Sequence, residues 1–234
     1  MRAQPSGRGS STRRVTSCWA VCAGPSTWPG TCEAWRTSSP TAPVTRNASS
    51  TSWGWSRTSW SARSIGTTDA GVDAVMSGED WGTQDRLLVS PDTFREIFLP
   101  CFRRLCGAAH SRGLYVWFHS CGYVREVIGD WFEAGIDCCQ FDQPELHGID
   151  LLARKFGGRM HFWCPVDIQT TLQTRDKDRI RAAARDYVEK LGSYGGGFVA
   201  GYYGSNEALG LEPEYQAAAC EAFMQSGDPA PWCR

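Results

Sequence analysis

From residue 65 onward the sequence predicts an α/β domain with a parallel sheet, and three observations support this prediction. Short apolar runs alternate with amphipathic helical patterns, which gives about five strands, each followed by a helix. Polar side chains follow the carboxyl ends of these strands, where parallel-sheet proteins place their chemistry. The amino-acid usage of this region is that of an ordinary globular protein.

Residues 1–64 have a very different composition. They contain no Leu, Ile, Phe, Tyr, Lys or Asp, but eight Arg, six Trp and a single acid, Glu33. Their formal charge is +7, against −8 for the remainder. The arginines follow no helical or alternating period, so a nucleic-acid-binding arm is not indicated. We predict a disordered or out-of-frame segment over 1–64, with a folded module as the remaining alternative, and a domain over 65–234.

The chain offers no signal for secretion or for a membrane. No run approaches the eighteen or so apolar residues of a membrane span, and no apolar leader precedes the glycosylation sequon at Asn47. We therefore expect a cytoplasmic protein without a membrane partner. Three of its 11 cysteines lie in 1–64, and we expect the others to be core residues or ligands rather than disulfides. No glycine-rich phosphate loop suggests a nucleotide cofactor.

The first predicted elements are a strand over 72–76 and a long helix. Ser90 followed by Pro91 is typical of an N-cap and a first helical position, and apolar residues recur at helical spacing as far as Gly113. The next strand covers 115–119 and has Trp117, His119 and, just beyond it, Cys121 on one face. A second helix with an apolar face ends at Gly135.

Three further strands and their helices complete the pattern. The strands are predicted over 136–141, 160–164 and 198–202, with helices over 147–156 and near 174–191 and a closing helix from about 212. Thr174 is the predicted N-cap of the fourth helix, with Asp176 and Asp178 in its first turn. We expect structural roles for His110 and His161, and a surface or capping position for His147.

Three aspartates follow predicted strands and are the candidate catalytic residues. Asp80, Asp142 and Asp167 would ring one end of the sheet, where each could serve as acid, base or hydrogen-bond acceptor. Each could instead cap the following helix or turn. The candidate substrate-binding residues beside these strand ends are Trp81, Gln143 and Tyr202.

Five segments in this order resemble the uroporphyrinogen decarboxylase superfamily: GEDWGTQDRLLVSP (78–91), AAHSRGLYVWFHSCG (108–122), FDQPE (141–145), FWCPVDIQTTL (162–172) and GGGF (195–198). Within it, the chain is similar to the branch that includes corrinoid-dependent methyltransferases. The resemblance implies a (β/α)8 TIM barrel, of which this chain would supply the C-terminal part, about five βα units.

The resemblance also implies a zinc site and a tetrapyrrole partner. In the methyltransferase branch a His-x-Cys pair and a distant Cys hold zinc, which binds a thiol as thiolate for attack on a corrinoid-bound methyl group. His119 and Cys121 match the pair, but the distant Cys would fall near Gly204. We predict Cys164 as the third ligand because it ends a strand. Cys138 and Cys139 are the alternatives, and since adjacent strand residues point to opposite faces, at most one of them faces inward.

The sequence leaves three other functions open. Uroporphyrinogen decarboxylation is one, although residues 1–64 contain no match to the arginine motif and catalytic aspartate of true decarboxylases, and Gly204 stands where these have a histidine. The second is a truncated, inactive barrel fragment with an open sheet edge. The third is a corrinoid-binding protein without catalysis, which would bind cobalamin but no zinc. The implied partners are a small-molecule or tetrapyrrole substrate and a corrinoid protein.

Overall fold

The computed structural model describes Ala20–Val21 and residues 73–227. Apart from Ala20–Val21, the segment that the sequence sets apart as 1–64 lies outside the described residues. Within the described part of the chain, no helix is long and apolar enough to cross a membrane.

The six strands of the described residues form one parallel sheet. They are β1 (Ala20–Val21), β2 (Ala74–Gly78), β3 (Tyr115–His119), β4 (Cys138–Gln140), β5 (His161–Cys164) and β6 (Phe198–Ala200). The strands are paired in chain order from β1 to β6, and every pair is parallel. Since each crossover leads to the neighbouring strand and the order never reverses, the topology is that of a β/α barrel rather than of a doubly wound sheet.

Helices connect β2 through β6, and two more follow β6. They are α1 (Pro91–Thr93), α2 (Leu99–His110), α3 (Ile128–Ala134), α4 (Ile149–Phe156), α5 (Lys177–Leu191), α6 (Asn206–Leu209) and α7 (Pro213–Ser226). A π-helical segment, Phe94–Phe98, joins α1 to α2, and 3-10 turns cover Pro144–His147 and Leu172–Thr174. The five predicted strands are therefore all present, although β2 begins two residues later than predicted, and β4, β5 and β6 are shorter than predicted. Helix α6 and the π-helical segment were not predicted.

Helix ends follow the sequence signals with one exception. The Ser90 side chain accepts a hydrogen bond from the backbone N–H of Thr93, as expected of an N-cap. Gly135 ends α3 at φ 109°, a left-handed conformation that glycine adopts without strain. The prediction that Thr174 caps α5 was wrong. Asp176 does so by accepting from the backbone N–H groups of Asp178 and Arg179, because its carboxylate is the stronger acceptor and lies one residue before the helix.

The sheet has one buried and one open face. Val116 and Phe118 of β3 point toward the helices and are almost completely buried, and Phe118 packs against Trp131 of α3 with ring centroids 5.0 Å apart. The alternate residues, Tyr115 and Trp117, lie on the opposite side, which we call the inner face, and Tyr115 is 61% exposed. His119 continues this row and reaches the carboxyl edge of the sheet.

Candidate metal centre

Three metal-capable side chains meet at the carboxyl ends of β2 and β3. The ligand atoms of Asp80, His119 and Cys121 all lie within 4.8 Å of one another, and this is the one such group among the described residues. His119 Nε2 lies 3.4 Å from Cys121 Sγ and 3.5 Å from Asp80 Oδ1. The predicted pair His119 and Cys121 therefore comes together, with Asp80 as the third member.

Backbone contacts hold the Asp80 loop against the end of β3. The backbone N–H of Cys121 donates to Asp80 Oδ1 at 2.9 Å, and that of Trp81 donates to Ser120 Oγ at 3.1 Å. Next to these two hydrogen bonds, the backbones of Gly82 and Gly122 are in contact. A Cβ built on Gly122 would lie 2.2 Å from the carbonyl oxygen of Gly82. Only glycine at both positions allows this approach, which brings Asp80 to His119 although the two are 39 residues apart in sequence.

The other side of the His119 ring contacts the neighbouring strand. His119 and Gln140 are register partners of β3 and β4, so their side chains share the inner face. His119 Nδ1 makes a short hydrogen bond with Gln140 Oε1, and Gln140 Nε2 donates to Asp142 Oδ1 at 2.8 Å. Asp142 also lies beside the metal-capable group, since its Oδ2 is 3.9 Å from Cys121 Sγ.

The side chains of this group shift one another's pKa values. Burial alone would lower the pKa of His119, but the hydrogen bonds that the ring makes with Asp80, Cys121 and Gln140, and the charge of Cys121, outweigh it and raise that pKa to about 10. The hydrogen bond with His119 is the main cause that lowers the pKa of Asp80. In contrast, burial and the neighbouring Asp80 raise the pKa of Glu79. Asp80 and His119 thus form an ion pair at neutral pH in the absence of a metal.

The structure does not bring Cys164 into this group. Cys164 is fully buried among the core residues between sheet and helices, and burial raises the pKa of its thiol well above the ordinary value. The reason is register: Trp163 pairs with Gln140 and so takes the inner face, which leaves Cys164 on the helix side. Of the alternatives, Cys138 shares the inner face with Gln140, while Cys139 lies in the core cluster, and neither belongs to the metal-capable group.

The other two predicted catalytic aspartates lie in different settings. Asp142 contacts Cys121 and Gln140 at the candidate centre, as described above. Asp167 is buried and accepts hydrogen bonds from three backbone N–H groups, those of Glu145, Gln169 and Thr170. This is the capping arrangement that the sequence left open as the alternative for a strand-end aspartate.

The predicted substrate-binding residues are spread over the structure. Trp81 is 4% exposed and packs edge-on against Phe94 and Phe98, with centroids 5.1 and 4.6 Å away. Gln143 is also buried, and its Oε1 accepts from the backbone N–H of Gly122 at 3.0 Å. Tyr202 is half exposed and its hydroxyl accepts from Asn206 Nδ2 at 2.7 Å. Trp81 and Gln143 thus stabilise the loops of the candidate centre through buried contacts.

The remaining histidines lie outside the centre. His110 Nε2 lies 2.8 Å from Asp137 Oδ2, and His161 is exposed at the start of β5. The predicted surface position of His147 was wrong: the side chain is 1% exposed and its ring lies 4.5 Å from that of Phe141. This burial was not predictable from local pattern, because the polar stretch Asp142–Glu145 precedes His147.

The comparison with known families agrees with this architecture. The family model described as uroporphyrinogen decarboxylase (URO-D) matches residues 62–227, which is most of the chain. The chain belongs to the uroporphyrinogen decarboxylase family. The predicted α/β fold, part of a barrel of the uroporphyrinogen decarboxylase type, is thereby confirmed.

A solved structure shows the same fold. This chain resembles a methyltransferase from Methanosarcina mazei with a TM-score of 0.52 and 20% sequence identity. The match covers 71% of this chain and 46% of that methyltransferase, so this chain spans less than half the length of its structural relative. No curated protein matches the chain by sequence.

Proposed function

We propose that this member of the uroporphyrinogen decarboxylase family binds a zinc ion through Asp80, His119 and Cys121 and acts in methyl or one-carbon group transfer with a corrinoid as partner. The observation that carries the proposal is the meeting of one carboxylate, one imidazole and one thiol at the carboxyl edge of the sheet. Imidazole and thiolate are preferred zinc ligands, and a catalytic zinc site has three protein ligands and an open position.

The donor spacing fits a zinc ion. Tetrahedral coordination with ordinary Zn–S, Zn–N and Zn–O bond lengths of about 2.0–2.3 Å places neighbouring donors about 3.3–3.6 Å apart. The two separations around His119 Nε2 are 3.4 Å to Cys121 Sγ and 3.5 Å to Asp80 Oδ1. The three side chains therefore need little rearrangement to hold the ion.

In this proposal the protein residues bind the zinc ion and orient the groups around it. Zinc in such a centre lowers the pKa of a bound thiol, which makes it a nucleophile at neutral pH. Asp80 offsets the positive charge of the ion, and the Gly82–Gly122 contact holds its loop in place. Asp142, 3.9 Å from Cys121 Sγ, is placed to accept a proton beside the centre. The corrinoid role rests on the resemblance of the His-x-Cys pair to the methyltransferase branch.

Two other functions remain candidates for specific reasons. Uroporphyrinogen decarboxylation is supported by the description of the matching family model. An inactive barrel fragment is supported by the exposure of Tyr115 on the inner face. Neither alternative explains why a thiol, an imidazole and a carboxylate meet at the carboxyl edge of the sheet.

The proposal is tested first by metal content. We expect the full chain, purified without added chelator, to contain stoichiometric zinc, and His119→Ala and Cys121→Ser each to lose it. Cys101→Ser is the matched control, because Cys101 is a half-buried thiol on α2 outside the metal-capable group. Folded wild-type protein without zinc, also after incubation with zinc salt, would rule out the metal centre.

Group transfer is tested next with zinc-loaded protein, methylcobalamin and a small thiol. The expected result is loss of the methylcobalamin absorbance that depends on zinc and on Cys121. Zinc-loaded protein that leaves methylcobalamin intact with every thiol tried would remove the corrinoid part and leave a metal-binding domain.

A further inference from the structure

The Gln140 side chain is held between two groups of opposite hydrogen-bonding character. It is buried on β4, with its Nε2 2.8 Å from Asp142 Oδ1 and its Oε1 against His119 Nδ1. Both ends of the amide are thus engaged, and both contacts are partly buried. A buried amide satisfied at both ends has one preferred orientation.

The contact with Asp142 decides which way the amide points. Gln140 Nε2 donates to Asp142 Oδ1 at 2.8 Å, so the NH2 group of the amide faces Asp142. The amide oxygen therefore faces the His119 ring, and Nδ1 must carry the proton that this oxygen accepts. The other nitrogen, Nε2, is left facing Asp80 and Cys121.

We propose that Gln140 and Asp142 are positioning residues that fix His119 with protonated Nδ1 toward β4 and Nε2 toward Asp80 and Cys121, so that Nε2 is the metal-binding atom. The metal-binding part rests on the proposed function, whereas the orientation of the ring does not. Outer partners of this kind keep the imidazole in one orientation and raise its basicity as a ligand, and their loss costs about 10–100-fold in metal affinity.

The experiment combines zinc affinity with NMR of the His119 ring. Zinc dissociation constants are measured by competition with a chromophoric chelator for wild type, Gln140→Leu and the double variant Gln140→Glu/Asp142→Asn. The double variant reverses the donor and acceptor between positions 140 and 142 but still offers an acceptor oxygen to Nδ1. Gln169→Leu is the matched control, because Gln169 is an exposed glutamine outside the metal-capable group.

We expect zinc affinity to fall about 10–100-fold in Gln140→Leu, to return to near the wild-type value in the double variant, and to be unchanged in Gln169→Leu. A purely structural role of Gln140 would not give this rescue by an exchanged pair. Unchanged zinc affinity in Gln140→Leu would overturn the proposal, and so would failure of the double variant to recover.

The NMR measurement separates this proposal from the proposed function. In metal-free protein the charged His119 ring carries a proton on both nitrogens, so the measurement is the protection of Nδ1–H from exchange with water. Its resonance, assigned by its absence in His119→Ala, should exchange slowly in wild type and rapidly in Gln140→Leu. If Nδ1–H is protected but wild type binds no zinc, the ring orientation stands and the zinc function fails. If zinc binds tightly but Nδ1–H is unprotected in wild type, the function stands and the positioning role fails.

Discussion

Replacing Gly122 by alanine should break the contact that brings Asp80 to the candidate centre. Gly122 has φ +78°, and the new Cβ would lie 2.2 Å from the carbonyl oxygen of Gly82 and 2.7 Å from that of Thr83. The left-handed conformation costs about 1–2 kcal/mol for a residue with a Cβ. Forced movement of packed backbone adds about 1–3 kcal/mol. We therefore expect Gly122→Ala to lower the free energy of unfolding by about 2–5 kcal/mol.

Two other glycines separate the causes of this loss. Gly113 has φ +72° but nothing within 4 Å of its Cβ position, so Gly113→Ala should cost only the conformational term of about 1–2 kcal/mol. Gly129, in α3, has open space and no positive φ, so Gly129→Ala should be stabilising by about 0.5–1 kcal/mol.

The assays are urea unfolding and zinc competition on the same three variants. Zinc affinity should fall at least tenfold in Gly122→Ala, because the Asp80 loop must move away from Cys121, and should be unchanged in the other two. A Gly122→Ala variant that is as stable as Gly113→Ala, or that binds zinc as tightly as wild type, would contradict this prediction.

Two further predictions concern buried side chains. Burial and the neighbouring Arg125 lower the pKa of His147 from 6.5 to about 4, so the unfolded chain binds a proton there at a higher pH than the folded protein does. Stability should therefore fall by up to about 3 kcal/mol as pH falls from 6.5 to 4. Urea midpoints against pH should show a smaller loss in His147→Phe, and parallel curves for the two proteins would contradict this. Trp81→Ala should lower stability by about 3–5 kcal/mol as a core truncation, with Trp81→Phe much milder, and a loss below 1 kcal/mol in urea unfolding would contradict its core role.

Local patterns of the sequence predict most of the fold. The run from Tyr115 to His119 alternates in burial as a strand at the edge of a core must, and the structure has this strand with the predicted bounds. Ser90 and Gly135 likewise mark real helix ends, because capping depends on a few neighbouring residues. The π-helical segment Phe94–Phe98 was missed because apolar residues on both sides of it also fit a continuous α-helical spacing. In the structure the buried residues step from Phe94 to Leu99, five positions on, which is the extra residue of the π-helical turn.

The site was less predictable because it depends on contacts distant in sequence. Spacing alone pairs His119 with Cys121, but the third member, Asp80, reaches them through the Gly82–Gly122 contact, which no local pattern reveals. The four residues His161–Cys164 are apolar or aromatic on both faces, so the sequence could not tell which face Cys164 takes. Only the pairing of Trp163 with Gln140 decides it.

All groups of the candidate centre come from three consecutive strands. Asp80 follows β2, His119 and Cys121 end β3, and Gln140 and Asp142 belong to β4 and the loop after it. Since neighbouring parallel strands fix one another's register, these donors are held by the described sheet itself and need no residue from the barrel strands beyond it. Zinc binding and group transfer are therefore separable: metal affinity tests the local sheet, whereas a substrate site that spans the barrel would depend on more of it. If the chain binds zinc at His119 and Cys121 but transfers no methyl group, the residues that group transfer still lacks must lie outside these three strands.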